Sequence, residues 1–283
     1  MIAVLGGLGA ATAWALSTLC SSRSSRLIAP QSVVAWVMLV GLLIAAPAAA
    51  VTGIPAGLGG SAGAWLALSG AGNVAGLLVA YRALRIGQVT LIAPLLSTEG
   101  AIAALIALLT GEHVAPAVGA TLAVIVAGIC LAAMPAADRP EPIAAGHRSA
   151  VLLALAAAGS FGASLYATAR AGAALPTAWV VLSARLIGSV TLAVPLAARH
   201  RLQLTRAALP LVAASGACEV LGFYSYTAGS RHGIAVAAVL SSQFAALAAL
   251  VAYVLFRERL SRTQFVGVST VVVGVALLSA FHT

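Results

Sequence analysis

Four polar or ionisable residues lie deep inside long apolar stretches of this sequence: Asn73, Glu99, Arg185 and Glu219. A charge at the centre of a membrane helix costs about 2.5–3.5 kcal/mol on insertion scales, so each of these side chains needs a partner or a function. The set contains two acids and one base. Side chains of these types can bind a polar solute, form an ion pair or carry a proton.

Glu99 lies near the middle of the apolar stretch 89–110, after the sequence Leu-Leu-Ser-Thr. A carboxyl group at this depth can exchange a proton with a solute pathway, which is what a proton-coupled exchanger requires. The alternative is a structural role, in which the protonated carboxyl donates a hydrogen bond to a neighbouring helix. Both interpretations are open from the sequence.

Glu219 lies midway along the stretch 207–228, and helical spacings of three, four and seven place other polar, aromatic and small residues on its face: Ser215, Gly222, Phe223 and Tyr226. Arg185, on the preceding stretch, can neutralise it. The pair then has either a structural role or a direct contact with a solute. Asn73 occupies the position equivalent to Glu219 in the first half of the chain, and we expect both to face one central cavity.

Aromatic and uncharged polar residues complete the candidate site. An apolar wall is typical of small-molecule sites, and Trp14, Tyr224 and Tyr226 are candidates for it, although such residues also occur in ordinary cores or facing lipid. Ser242 and Gln243 can offer uncharged hydrogen bonds. The candidate substrate or coupling residues are therefore Glu99, Glu219, Asn73, Arg185, Tyr224, Tyr226, Gln243, Ser242 and Trp14.

The composition requires a membrane setting for these residues. Hydrophobic residues make up 62% of the 283 and charged residues only 7%, far from the averages of soluble domains. Because a spanning helix needs about 20 apolar residues, the sequence predicts an all-α membrane protein with ten spans. These are 2–20, 31–50, 63–83, 89–110, 116–135, 149–169, 177–197, 207–228, 234–255 and 263–281.

An internal repeat organises these spans. Residues 69–131 align with 215–277 at a constant offset of 146, which pairs Gly76 with Gly222 and Asn73 with Glu219; in the flanking first and sixth spans, Trp14 aligns with Phe161. A Pro-rich linker, 135–148, separates a first five-helix repeat, 1–134, from a second, 149–283. Since five is odd, the second repeat enters the membrane in the opposite direction, an arrangement typical of secondary transporters.

Arginine placement predicts the orientation. Loops after odd-numbered spans carry 12 of the 15 basic residues and loops after even-numbered spans carry 2, so the positive-inside rule places the odd loops in the cytoplasm and both termini outside. The formal charge of +9 is thus a topology signal, and no basic domain face exists for nucleic acid. The expected location is the cell (inner or plasma) membrane.

Several function classes lack their motifs. The sequence has no Walker loop and no hydrolase or metalloprotease signature, so we expect neither an ATPase nor an enzyme. Its five histidines lie at span ends or in loops, and its three cysteines have no metal-ligand spacing. No metal and no cofactor is expected.

The segment from Leu240 to Phe244, the sequence Phe-Arg-Glu-Arg at 256–259 and the later Gly267 and Gly274 resemble the closing signature of an EamA repeat in the drug/metabolite transporter superfamily. The first half has a similar pattern in Tyr81–Gly87, Glu99-Gly100 and Gly111-Glu112. The resemblance implies two inverted five-helix repeats and the export or exchange of small solutes such as amino acids, metabolites or amphipathic drugs. It also implies a turn-fixing, capping role for Glu112 and Glu258. The sequence departs from it where a proline often interrupts the fourth helix: Pro94 does so in the first half only.

The sequence therefore predicts a secondary transporter of a small-molecule substrate, working in the lipid bilayer by alternating access, with protons as the expected coupling ion. The alternative is a non-transporting membrane partner or assembly protein, in which the buried polar residues are structural.

Overall fold

The computed structural model describes residues 1–86, 95–132, 147–244, 247 and 262–281. These residues form helices and connecting turns, with no β-strand among them. The helices are α1 Ile2–Ser24, α2 Pro30–Thr52, α3 Gly60–Ile86, α4 Glu99–Leu109, α5 Pro116–Ala132, α6 His147–Ala174, α7 Thr177–Gly188, α8 Val194–Ala198, α9 Leu209–Ser230, α10 Ile234–Ser241 and α11 Arg262–Phe281. A π-helical turn, Ser189–Ala193, joins α7 to α8.

Helix is the expected state for such apolar stretches because each backbone N–H and C=O must find a partner without water. Five described spans are long and apolar enough to cross a membrane: Ile2–Ser21, Pro30–Thr52, Gly60–Ala80, Arg148–Ala174 and Thr177–Ala198. Two shorter apolar helices are Glu99–Leu109 and Pro116–Gly128. The described part of the chain is thus helical, with several helices that are long and apolar enough to cross a membrane.

Several sequence predictions concern residues that the structure does not describe. Pro94, most of the linker (135–146) and Glu258 lie outside the described residues, as do parts of the predicted fourth, fifth and ninth spans. Helix α6 begins at His147, so the last two residues assigned to the linker are already helical.

Helices from the two halves of the chain pack against each other. The most extensive contacts join α1 to α9, α3 to α6 and α5 to α11, and smaller ones join α2 to α7 and α4 to α10. Each of these pairs combines a helix from before residue 135 with one from after residue 146. The core therefore lies between the two halves of the sequence.

Residues that the repeat aligns make corresponding contacts. Trp14 packs against Gly222 and Phe161 packs against Gly76, in both cases leaving no room for a β-carbon on the glycine. When the first two helices of each half are aligned as Trp14 is with Phe161, at an offset of 147, three further pairs of contacts correspond: Ser17 with Ser215 and Ser164 with Ser69, Val40 with Gly216 and Ile187 with Gly70, and Met38 with Gly188 and Arg185 with Gly41. The α1–α9 and α3–α6 interfaces are built alike.

Helices α2 and α7 cross in opposite directions. At one end, the indole nitrogen of Trp179, near the start of α7, donates to the carbonyl of Gly53 just after α2, at 2.8 Å. At the other end, the indole of Trp36, near the start of α2, donates to the carbonyl of Gln203 after α8, at 2.9 Å. The start of α7 therefore lies beside the end of α2, and the start of α2 lies beside the loop that follows α8.

Two apolar helices are interrupted at turns. The turn at Ser97–Thr98 precedes α4, and the turn at Ser242–Gln243 follows α10. At each turn a hydroxyl group donates to the backbone carbonyl three residues earlier: Thr98 to Leu95, and Ser242 to Val239. The first turn falls a few residues after Pro94, and the second forms in a segment that contains no proline.

Candidate functional site

Four side chains from three helices form what we call the central polar site: Ser17 on α1, Arg185 on α7, and Ser215 and Glu219 on α9. The Arg185 Nη2 lies 3.3 Å from the Glu219 Oε2, and the Ser17 hydroxyl donates to the Glu219 Oε1 at 3.2 Å. The Ser215 hydroxyl lies 2.8 Å from that of Ser17 and 2.7 Å from that of Ser21. Arg185 and Glu219 thus form the ion pair that the sequence predicts.

Arg185 is enclosed by protein. Its side chain is 0% exposed, its Nη1 lies 3.3 Å from the sulfur of Met38 on α2, and its guanidinium carbon lies 4.8 Å from the ring centre of Phe223. The close approach to α2 is possible because Gly41 has no β-carbon. The Nε has no hydrogen-bond partner among the described residues, so Glu219 is the acid that balances this charge in the structure.

Glu219 has a different environment. Its side chain is 25% exposed, although it lies midway along α9. A carboxylate held by Arg185 and Ser17 but still partly accessible can receive a further hydrogen-bond donor or a positive charge. The accessible member of the pair is therefore the acid.

Aromatic side chains line the neighbouring core. The rings of Trp14 and Phe223 meet edge to face with centroids 5.3 Å apart, and Trp14 and Tyr226 lie 6.2 Å apart. Tyr226 is fully buried and its hydroxyl donates to the carbonyl of Leu165 at 2.9 Å. Its hydroxyl is thus already engaged. Tyr224 is partly buried against the same apolar cluster.

Glu99 begins α4 and is only 7% exposed. The adjoining Gly100 packs so tightly on Ser242 and the carbonyl of Ala238 that a β-carbon there would collide with α10. Glu99 is therefore fixed where the two interrupted helices meet.

The remaining predicted residues occupy varied positions. Ser242 and Gln243 are buried at the turn after α10, and the Gln243 Nε2 has no partner in the described part of the chain. Asn73 is half-buried on α3, whereas its repeat partner Glu219 belongs to the central polar site. The expectation that Asn73 and Glu219 face one central cavity stays a prediction.

Sequence reasoning did not select Ser17, Ser21 or Met38 as site residues. Ser17 and Ser21 are separated by one helical turn, as are Ser215 and Glu219. Matching these two polar stripes would have suggested that α1 and α9 face each other, because residues four apart share one face of a helix.

Glu112 has the capping role that the resemblance implies. Both of its carboxylate oxygens accept from the backbone N–H of Ala235, at 3.3 and 3.4 Å. Ala235 lies in the first turn of α10, where a negative charge complements the helix dipole. The loop after α4 is thereby fastened to the start of α10.

Comparisons with known proteins agree with this architecture. Residues 1–134 and 148–280 each match the EamA-like transporter family. The fold is similar to that of another protein whose crystal structure has been solved. The match has a TM-score of 0.82 and 20% sequence identity, and it covers 99% of this chain and 96% of that one. No curated protein matches the chain.

The chain belongs to the EamA-like transporter family, and so to the drug/metabolite transporter superfamily. It is a multi-pass membrane transporter of that type. Members of the family are transporters and not enzymes. Within the described ranges, no group of three or more His, Cys, Asp or Glu residues could hold a metal ion.

Proposed function

We propose that this protein is a secondary transporter that exports or exchanges small metabolites, amino acids or amphipathic drugs by alternating access. The observation that carries the proposal is the central polar site, in which a partly exposed Glu219 is held between a buried Arg185 and Ser17. Such a charged group inside apolar helices is costly and is typical of a solute or ion pathway.

The chemistry of the site favours a solute with a positive group and an apolar body. Glu219 supplies the accessible acceptor. Phe223, which packs against the Arg185 guanidinium, belongs with Trp14 to the buried aromatic core behind it, and apolar walls of this kind are typical of small-molecule sites. A cationic or zwitterionic solute fits this combination best.

The proposed architecture has ten spans in two inverted five-helix repeats, 1–134 and 149–283, joined by the segment 135–148. The corresponding contacts at the α1–α9 and α3–α6 interfaces support it, as does the antiparallel crossing of α2 and α7. The Met38–Arg185 contact joins two residues that correspond in the repeat. A two-fold axis that relates the two halves would pass through this contact. The transport sites of such proteins lie between the repeats.

Glu99 is the proposed proton-coupling group. It is buried where the two interrupted helices meet, beside the tightly packed Gly100. Interrupted helices near the middle of a membrane commonly form the ion and substrate sites of transporters. The proposed location is the cell (inner or plasma) membrane with odd-numbered loops in the cytoplasm, as the arginine distribution favours.

The test is proton flux in proteoliposomes that contain an internal pH dye, with amino acids and amphipathic amines added in turn. Wild type, Glu99→Gln and Glu219→Gln are compared with Glu112→Gln, which makes the same chemical change at a helix cap outside the site. We expect a solute-triggered pH change in wild type and Glu112→Gln that is lost in Glu99→Gln.

The solute itself is followed in parallel by radiolabel uptake. Loss of proton flux in Glu99→Gln with retained solute exchange would support coupling through Glu99 and transport through the remaining site. Solute uptake in wild type without any pH change would reject proton coupling. The absence of uptake of every solute by folded wild-type protein would contradict the proposed substrate classes.

A further inference from the structure

A concentration of exposed positive charge lies at one end of the helix bundle, where two loops are fastened together. We call this surface, residues 25–29 and 199–208, the arginine platform. Four exposed arginines belong to it: Arg26, Arg199, Arg201 and Arg206. Neither loop contains an Asp or a Glu, so no acid of the platform itself neutralises this charge.

Specific bonds hold the two loops together. The Gln203 side-chain oxygen accepts from the Ala29 N–H at 3.0 Å, and the Gln203 N–H donates to the Ser32 hydroxyl at 3.1 Å. The Trp36 indole donates to the Gln203 carbonyl. Beneath these bonds Ile28 packs in one apolar cluster with Ala208. The arginines therefore project from a fixed base that joins both halves of the chain.

Two helices begin at this base. Helix α2 starts at Pro30 and α9 starts at Leu209, and neither has a side-chain hydrogen bond capping its N-terminus. The N-terminal end of a helix carries a partial positive charge. Both helix dipoles therefore add to the charge of the arginines and favour an anion.

Apolar side chains adjoin the arginines in the sequence. Leu27 follows Arg26, while Leu204 and Leu209 flank Arg206, and all three leucines are exposed by 39% or more. Exposed leucines beside arginines at the end of membrane helices match the boundary between acyl chains and headgroups. A free anion in water would use the arginines and leave the leucines without a role.

We propose that the arginine platform binds the phosphate headgroup of an anionic phospholipid, whose acyl chains contact the exposed leucines. Basic surfaces at the ends of membrane helices attract anionic lipids because each arginine near the membrane surface adds to the electrostatic attraction. Since the platform joins the α1–α2 loop to the α8–α9 loop, a bound headgroup stabilises the contact between the two halves.

The experiment measures thermal unfolding of the full-length protein in dodecyl maltoside while dioleoyl phosphatidylglycerol is titrated. Dioleoyl phosphatidylcholine, with the same chains, and inorganic phosphate at equal phosphate concentration are the comparison ligands. We expect phosphatidylglycerol to raise the unfolding temperature most, and the rise to shrink at high salt, because exposed charges are screened. An equal rise with phosphatidylcholine would overturn the proposal, and an equal rise with inorganic phosphate would show a site for a soluble anion.

The triple variant Arg26→Gln/Arg201→Gln/Arg206→Gln removes three platform charges. A matched control, Arg82→Gln/Arg148→Gln/Arg262→Gln, removes three exposed charges elsewhere. Each arginine near the membrane surface contributes about fivefold to the affinity for an anionic lipid. We therefore expect the platform variant to lose on the order of a hundredfold in apparent affinity for phosphatidylglycerol. The control retains most of its affinity, and equal losses in the two variants would refute a localised site.

If the platform variant does not fold, native mass spectrometry of the wild type in an equal mixture of the two lipids supplies the measurement. Preferential retention of phosphatidylglycerol supports the proposal. Equal retention of both lipids rejects it.

Discussion

Burial is unequal within the Arg185–Glu219 ion pair. Arg185 is completely enclosed and has no other acid to balance it among the described contacts, whereas Glu219 is partly exposed and has Ser17 as a second partner. Removing one member of a buried pair is costly chiefly because the other charge is left uncompensated. The cost must therefore depend on which member is removed.

We predict that Glu219→Gln destabilises the protein on the order of 3 kcal/mol, because Arg185 stays charged in an apolar environment. Arg185→Met costs less, since the partly exposed Glu219 can be hydrated, and since methionine fills the space beside Met38 and Phe223. Thermal unfolding of both variants in detergent checks the order.

The double variant Arg185→Met/Glu219→Gln provides the control, because it removes both charges at once. Its stability should exceed that of Glu219→Gln alone. If Arg185→Met proves to be the more destabilising single change, the packing of the arginine stem outweighs its charge and the asymmetry described above does not govern stability.

The ion pair was predictable from the sequence because few charges occur at depth, so that Arg185 had few acids with which to pair. The contact between Ser17 and Glu219 was not predictable from the sequence, because tertiary packing sets the register of α1 against α9. Tyr226 shows the same limit. Helical spacing placed it on the Glu219 face, but the bond from its hydroxyl to Leu165 depends on where α6 lies.

Among the helices, the interrupted pair α4 and α10 depends on close approach. A β-carbon on Gly100 would collide with the carbonyl of Ala238 and with the side chain of Ser242. A backbone carbonyl cannot move aside as a flexible side chain can, so one extra methyl group must push α4 away from α10. Glu99, adjacent to Gly100, would move with it.

We predict that Gly100→Ala destabilises the protein by about 1–3 kcal/mol, the usual cost of overpacking, and reduces transport further than stability alone explains. Gly159→Ala on α6 is the control, because open space surrounds that position and alanine favours helix. Unfolding temperature and solute uptake are measured together. Wild-type uptake by Gly100→Ala would show that the α4–α10 junction tolerates displacement.

The corresponding glycines of the two repeat interfaces give a paired prediction. Gly222→Ala collides with the Trp14 indole and Gly76→Ala collides with the Phe161 ring, so both should lower the unfolding temperature by similar amounts. Gly119→Ala on α5, where no atom lies near, should not. A large effect at one interface and none at the other would show that the two are not energetically alike.

Composition predicted the helices, because a long apolar stretch has only one way to satisfy its backbone in a membrane. The turn at Ser242–Gln243 was not predictable in the same way. No proline or glycine marks it, and serine hydroxyls donate to the nearby carbonyls of Ala238 and Val239, an arrangement that neither periodicity nor propensity reveals.

At the scale of the whole molecule, most of the core lies between helices from opposite ends of the chain. In the proposed alternating-access cycle, a rocking motion of one repeat against the other would therefore have to rearrange the contacts that hold the core together. Small residues at these interfaces allow two helix backbones to slide without forcing large side chains past each other. The many glycine contacts at α1–α9 and α3–α6 fit that requirement.

The proposed inverted arrangement predicts that corresponding loops face opposite sides of the membrane. Ala56, in the loop after α2, and Leu204, in the loop after α8, are both exposed and occupy nearly equivalent positions in the repeat. In a background with Cys20, Cys130 and Cys218 replaced by alanine, Ala56→Cys should react with an impermeant maleimide added outside intact cells. Leu204→Cys should react only after the membrane is opened, because its loop is rich in arginine and such loops stay in the cytoplasm. Reaction of both cysteines from the same side would contradict the inverted repeat, whereas the opposite labelling order would keep the repeat and reverse the orientation that the arginines indicate.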